Sequence, residues 1–384
     1  MAEKKFMYTV SPHLHEKGQT IERAMKDVLI ALVPAAIMGV VIFGFNVVYM
    51  LVVSCAVAAL SELFMRWIMG RRQTLADGSA MVTAVLFVFL LPPSTPLWVV
   101  AIGCFLAVAV AKELFGGLGK NIFNPALFGR VALMISPLAI YTTKYMQPFF
   151  YKSVGFFTPI QTVVDGSVAG RVVYKGITNK VYVNAVTSAT PLSLLKSGKM
   201  LTTSVTGPTP VGASFLNASG RPNFWSGLLG FKSGSIGEVC VLALIIGGLY
   251  LIYRGTIDWR IPAGVLGGFL FVMLVTWNHP LYQLTGGGIW LGAFFMATDW
   301  TTSPMTRRGK WIFAVGIGVF VALIRLVSPL PEGVAISILV WNVLTLLIDR
   351  YVAEPRFGEV KKPWLNKLPV FPRPKPVTTA EKKA

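Results

Sequence analysis

Ten apolar stretches, interrupted once by a long polar segment, constrain this chain more than any other feature. They run at 28–43, 47–67, 80–91, 97–114 and 123–140, and resume at 236–253, 261–277, 289–297, 311–326 and 334–348. A helix needs about 18 or more apolar residues to cross the roughly 30 Å hydrocarbon core of a bilayer. Most of the stretches reach or approach that length. With 54% hydrophobic and 13% charged residues, the chain carries too little charge for a soluble protein of its size. The expected class is an all-α polytopic membrane protein of about ten helices. Residues 1–21 are polar and lack the apolar centre and cleavage site of a signal peptide, so the first membrane helix is expected to direct insertion.

The net charge of +19 would suit a nucleic-acid partner, but the basic residues are spread among short connections between apolar stretches. There they set membrane orientation, and no nucleic-acid partner is expected. Lys4, Lys5, Lys17, Arg23 and Lys26 precede the first stretch; Arg66, Arg71 and Arg72 follow the second; Lys112 and Lys120 lie between the fourth and fifth. Arg254 and Arg260 separate the sixth from the seventh, and Arg307, Arg308 and Lys310 the eighth from the ninth. Arg350, Arg356, Lys361 and Lys362 follow the tenth. With ten crossings all of these fall on one side, whereas the opposite short connections hold no Lys or Arg. Both termini are thus expected in the cytoplasm and the long loop outside. The expected organisation is a cytoplasmic segment 1–27, a first membrane repeat 28–141, an extracytoplasmic loop 142–235, a second repeat 236–350 and a cytoplasmic tail 351–384, Pro- and Lys-rich beyond Lys361.

The two halves match in hydropathy with a shift of roughly 210 residues: the first stretch pairs with the sixth and the third with the eighth. Five spans per half turn the second upside down relative to the first, giving an inverted repeat. The third and eighth stretches are too short to cross unaided. One is flanked by Asp77-Gly78-Ser79 and Pro92-Pro93, the other by Gly286-Gly287-Gly288 and Asp299. Short, Gly- or Pro-interrupted segments in matching positions point to a pathway near the bilayer midplane. Two ordinary tilted helices are the plainer account.

Few side chains announce chemistry. Cys55, Cys104 and Cys240 lie far apart within apolar runs, so no iron–sulfur or zinc spacing exists and packing is their expected role. His13 and His15 form an HxH pair without a third ligand nearby. Asp299 and Glu113, at the ends of the eighth and fourth stretches, are the deepest carboxylates and hence the candidates for an ion path, with capping or pairing as the alternative. Glu62 stands four residues before Arg66, a spacing that permits a helical ion pair. Asp77 suits a cap of the third helix, and Glu238 the positive end of the sixth. Lys120, Asn121 and Asn124 with Pro125 fit a broken helix start that offers backbone groups to a ligand, or equally a plain helix N-terminus.

Loop 142–235 alternates β-branched runs, such as Val172-Val173-Tyr174, with Gly and Asn breaks, and some β structure is expected there. It carries Thr187-Ser188-Ala189-Thr190-Pro191. A phosphoester needs an accessible hydroxyl; Ser188 and Ala189 are small, and Pro191 biases Thr190 toward extended backbone that presents its side chain. The tetrad resembles the Ser/Thr-Gly/Ala-Ala-Thr signature at which FMN is joined through its phosphate to threonine. Alone, a solvated turn explains it as well.

Further segments make the resemblance specific. These are Ser11-Pro12-His13, the run Gly116-Gly117-Leu118-Gly119-Lys120-Asn121-Ile122-Phe123-Asn124-Pro125-Ala126, Asp258-Trp259-Arg260-Ile261-Pro262, and the stretch from Leu291 through Asp299 to Gly309. From Ser11 to about Arg350 the chain is similar to D subunits of ion-translocating Rnf complexes, which are paralogous to the B subunit of the sodium-translocating NADH:quinone reductase. The resemblance implies a urea-transporter-like fold in one member of a complex that couples electron flow between ferredoxin and NAD⁺ to Na⁺ or H⁺ movement. It implies covalent FMN on Thr190, with Thr187, Ser188, Ala189 and Pro191 as neighbours, and in some relatives a non-covalent riboflavin whose residues here are unassigned. The implied partners are the A and E membrane subunits, the flavin-carrying G subunit, the iron–sulfur and NADH-binding B and C subunits, a flavin transferase and the lipid bilayer. The paralogous B subunit, a urea-transporter-like channel without redox function, and a scaffold for other redox subunits are the competing readings.

Overall fold

A computed structural model describes residues 20–145, 148, 156, 224–230, 232, 234–277, 280–328 and 333–352. They form α1 (Ile21–Phe43), α2 (Asn46–Ile68), α3 (Ser79–Phe89), α4 (Leu97–Phe105), α5 (Pro125–Ile135), α6 (Ala139–Thr142), α7 (Phe224–Leu229) and α8 (Val241–Tyr253). Then come α9 (Arg260–Val275), α10 (Pro280–Thr285), α11 (Ile289–Leu291), α12 (Arg307–Val327) and α13 (Val334–Tyr351). Two π-helical stretches continue helices without a break, Leu106–Glu113 after α4 and Gly292–Met296 after α11. No strand occurs among the described residues.

Four helices, α1, α2, α12 and α13, are long and apolar enough to cross a membrane. Their outward faces are apolar: Ile30, Val33 and Ile37 on α1, Val52 and Leu60 on α2, Ile312 and Leu323 on α12 are all exposed. Polar side chains turn inward instead, among them Ser54, Ser61, Glu62 and Arg66 of α2 and Ser337, Asn342 and Thr345 of α13. This inside-out polarity is what lipid solvent selects, because hydrocarbon rewards no polar group on the outer surface. The α1–α2 turn needs a left-handed residue, supplied by Gly44 at φ 81°.

Small residues set the closest helix contacts. α9 and α12 pack most extensively, and a Cβ on Gly268 would lie 2.7 Å from Val315 O, one on Gly318 2.7 Å from Phe269 N. Helices in lipid associate through such close backbone approach. α1 packs on α8 and α5 on α13, so helices of the two halves of the chain contact each other.

The short third and eighth stretches are indeed short elements. α3 has 11 residues and spans about 16 Å at 1.5 Å per residue, half a bilayer core. Its C-terminal carbonyls end among buried side chains, away from water. Ile236 N–H donates to Leu91 O at 3.0 Å, and Gly237 N–H to Phe89 O at 2.9 Å. For this reason the sixth helix starts at Val241, five residues later than its apolar run: the backbone ahead of it is used to satisfy α3.

Two other stretches also differ from the sequence pattern. The fifth divides at Ser136, which closes α5 before the separate turn α6, and Pro137 beyond it cannot continue the ladder. The fourth changes to π geometry at Leu106. The β-branched runs of the long loop, such as Val172-Val173-Tyr174, the N-terminal segment through Gln19 with His13 and His15, and the tail from 353 lie outside the described residues.

Candidate functional site

Both carboxylates singled out from the sequence stand at π-helical ends. Glu113 closes the Leu106–Glu113 stretch, and Asp299 follows Gly292–Met296 by three residues. π turns displace side chains from the ordinary helical register and are frequent at functional sites.

Glu113 is fully buried and belongs to a four-charge network. Arg66 Nε lies 3.1 Å from Glu113 Oε2 and 3.3 Å from Glu62 Oε1. Lys112 Nζ lies 3.1 Å from Glu62 Oε2 and 3.8 Å from Glu113 Oε1. Two cations against two carboxylates leave the cluster neutral, which is what burial demands of it. Hydroxyls and carbonyls complete it: Thr74 Oγ1 donates to Glu62 Oε1 at 2.8 Å, Lys112 Nζ to Ser79 Oγ at 2.7 Å, and Arg66 Nη1 to Arg72 O at 2.7 Å. The i,i+4 pair of Glu62 and Arg66 is present, but buried rather than superficial. Lys112, read from the sequence as a residue of a short cytoplasmic connection, is 2% exposed inside the π stretch. Its partner Glu62 sits at a distant sequence position, so no local pattern could reveal the pairing.

Asp299 is half-buried in the turn after the second π stretch. It accepts from Thr301 N–H at 3.4 Å and Thr301 Oγ1 at 3.2 Å, and Thr302 and Asn121 lie beside its carboxylate. Asn124 explains how Asn121 comes there. Its Oδ1 accepts from Ala126 N–H at 3.1 Å and Leu127 N–H at 3.4 Å, capping α5, while Nδ2 donates to Met296 O at 3.3 Å. A plain helix N-terminus and a contact to the broken segment are thus the same structure. Glu113 and Asp299 belong to two separate clusters, whose partners have no residue in common.

Asp77 accepts from Ser79 N–H at 2.8 Å and Ser79 Oγ at 2.6 Å, so it caps α3 from two residues ahead. Glu238 is buried in the segment that leads into α8, beside Gly234 and Gly288.

The sequence pattern did not single out two buried arginines. Arg130 of α5 donates to Thr142 O at 3.2 Å, securing α6. Arg325, near the end of α12, donates to Gln283 O at 2.6 Å and Gly286 O at 3.1 Å, with its guanidinium 4.9 Å from the Phe269 ring centroid. Arginine inside an otherwise apolar run was the available signal.

Outside the membrane helices, Asp258 receives Lys310 Nζ at 3.0 Å and Arg260 Nη1 at 3.0 Å. Burial pushes its carboxyl upward, but hydrogen bonds from Arg260 N–H and Lys310 outweigh this and hold it below the usual carboxylate range. Asp27 of α1 pairs with Arg254 at 3.1 Å, joining the first helix to the end of α8. Thr187, Ser188, Ala189, Thr190 and Pro191 lie outside the described residues.

Among known proteins, the NQR2, RnfD, RnfE family matches residues 7–358. The D subunit of the proton-translocating ferredoxin:NAD(+) oxidoreductase complex of Clostridium ljungdahlii is 37% identical over 368 residues, 92% of this chain and 97% of that protein. The D subunit of the Na(+)-translocating ferredoxin:NAD(+) oxidoreductase complex of Acetobacterium woodii is 35% identical over 362 residues, 94% of this chain and 98% of that one. The D subunit of the ion-translocating oxidoreductase complex of Pectobacterium atrosepticum is 35% identical over 367 residues, 92% and 99%.

Proposed function

The chain belongs to the NQR2, RnfD, RnfE family, and from that membership we propose that it is the D subunit of an ion-translocating ferredoxin:NAD⁺ oxidoreductase complex. The observation that carries this is end-to-end similarity, above 90% of both chains, to proteins bearing that name. It acts as one part of a translocase within a membrane complex, not as an enzyme by itself. Its partners are the A and E membrane subunits, the flavin-carrying G subunit, and the iron–sulfur and NADH-binding B and C subunits.

Ten spans in two inverted five-helix halves, with cytoplasmic termini and loop 142–235 outside, are the topology we assign. Supporting it are the bias of Lys and Arg toward one side, the matched short elements α3 and α11, and the reciprocal α1–α8 and α5–α13 pairings. A further parallel supports the duplication. Lys112, near the end of the fourth span, reaches the start of α3, and Arg325, near the end of the ninth, reaches the turn before α11.

Thr190 is proposed as the attachment point of FMN, on the tetrad and its extracytoplasmic position alone. A flavin bound there supplies electron-carrying chemistry, and the threonine is an anchor rather than an acid or base. Asp299 and Glu113 are proposed as residues of an ion path, each at the end of a π stretch. The test is ultraviolet-excited fluorescence that stays with the denatured chain on a gel after coexpression with a flavin-attaching enzyme. Wild type is expected to fluoresce and Thr190→Ala to lose the band; a dark wild-type band rejects the flavin, and full fluorescence in Thr190→Ala moves the attachment elsewhere.

A further inference from the structure

Arg307 and Arg308 begin α12 as exposed side chains, and neither guanidinium makes a hydrogen bond or ion pair among the described residues. The acids on the elements that meet there are engaged by other donors. Asp258 holds Lys310 and Arg260, Asp299 accepts from Thr301, and Asp349 accepts from Met305 N–H at 3.1 Å. None of the three pairs with either arginine.

Below the arginines the surface changes character in order. Trp311 follows Arg307 by four residues and Arg308 by three, and Ile312 follows Arg308 by four, so these side chains share a face of α12. Trp311, Ile312 and Val315 are exposed. Guanidinium, indole and aliphatic side chain thus succeed one another along a helix long and apolar enough to cross a membrane. A bilayer presents phosphate, interface and hydrocarbon in the same order, and indole rings settle at its headgroup level. The start of α9 adds a second exposed indole: Trp259 meets Trp311 edge-on, with 6.0 Å between ring centroids. The two helix starts are held together, because Asp258, just before α9, binds Lys310 of α12.

We propose that Arg307, Arg308, Trp259 and Trp311 form a binding site for the headgroup of an anionic phospholipid, whose acyl chains run along Ile312 and Val315. A guanidinium matches a phosphodiester with paired donors. A zwitterionic lipid brings its own cation to the same place, so the two arginines favour a headgroup with net negative charge. An acidic protein segment would satisfy the arginines but leave the indole and aliphatic surface below them uncovered. The site requires only that α12 spans the bilayer and is independent of which side is cytoplasmic.

The test melts the assembled, detergent-purified complex while phosphatidylglycerol or phosphatidylcholine of the same acyl chains is titrated into the micelles. Wild type is expected to gain melting temperature saturably with phosphatidylglycerol and not with phosphatidylcholine. Arg307→Gln and Arg308→Gln should each raise the half-saturating lipid fraction about fivefold, equivalent to about 1 kcal/mol per basic residue at an anionic surface. Both side chains are exposed and unpaired among the described residues, so without added lipid the variants should melt with wild type. Arg72→Gln removes an exposed cation on the connection after α2 and should leave the response unchanged. An equal loss in Arg72→Gln, or no difference between the two lipids in wild type, overturns the site. An equal rise with soluble glycerol phosphate assigns the arginines to free phosphate and overturns the lipid. If the arginine variants keep the full lipid response but lose other subunits during purification, the patch holds an acidic partner protein and the proposal fails.

Discussion

Lys112 Nζ lies 3.1 Å from Glu62 Oε2 and donates to Ser79 Oγ at 2.7 Å, so one buried ammonium joins α2 to the first residue of α3. Removing one member of a buried ion pair costs about 3–5 kcal/mol, because the other charge stays buried without compensation. Lys112→Met is therefore expected to lower the yield and melting temperature of the purified protein sharply. Glu62→Gln combined with Lys112→Met should recover most of the loss, as a thermal-melt double-mutant cycle would show.

Arg325 serves the second short element differently, through two carbonyls and an aromatic face. Lysine is a point charge and cannot reproduce a planar fork stacked on a ring. Arg325→Lys is expected to cost about 1.5–3 kcal/mol, the worth of charge-assisted hydrogen bonds. Hydrogen exchange should rise in 280–291 while α13 stays protected.

Gly268 and Gly318 let α9 and α12 touch backbone to backbone. A methyl at 268 meets Val315 O, which belongs to the main chain and cannot rotate away. Gly268→Ala should cost about 1–3 kcal/mol by overpacking, and Gly268→Val more. The exposed Gly267, whose Cβ meets nothing within 4 Å, should accept alanine without loss of melting temperature.

Asp258 is held below the usual carboxylate range, against its own burial, by Arg260 and Lys310. A carboxylate with a depressed native pKa stabilises the fold fully above its unfolded pKa, and that contribution disappears as pH falls through the native value. Between about pH 6 and pH 3, melting temperature should fall less steeply in Asp258→Asn than in wild type. Parallel slopes would assign no stabilising role to the pair.

Hydropathy revealed the membrane class, the short third and eighth elements and the breaks that flank them, because lipid imposes its pattern residue by residue. The π stretches were illegible, since a one-residue change of register leaves composition untouched. Lys112 shows why charge counting has a limit: it lies near a helix end in sequence but turns inward to Glu62, fifty residues away. The late start of α8 was hidden for a related reason. Ile236 and Gly237 are apolar or small like their neighbours, yet their N–H groups are committed to Leu91 and Phe89. In the Asp299 region the acid was legible, whereas its company depended on Asn121 and Thr302 meeting from opposite halves of the chain.

Asn124 has a double duty with a mechanical consequence. The same amide that begins α5 also grips Met296, so a rocking of one half against the other must either carry both along or strip a carbonyl of its donor. Breaking that grip would cost about 1 kcal/mol, the net worth of one such hydrogen bond.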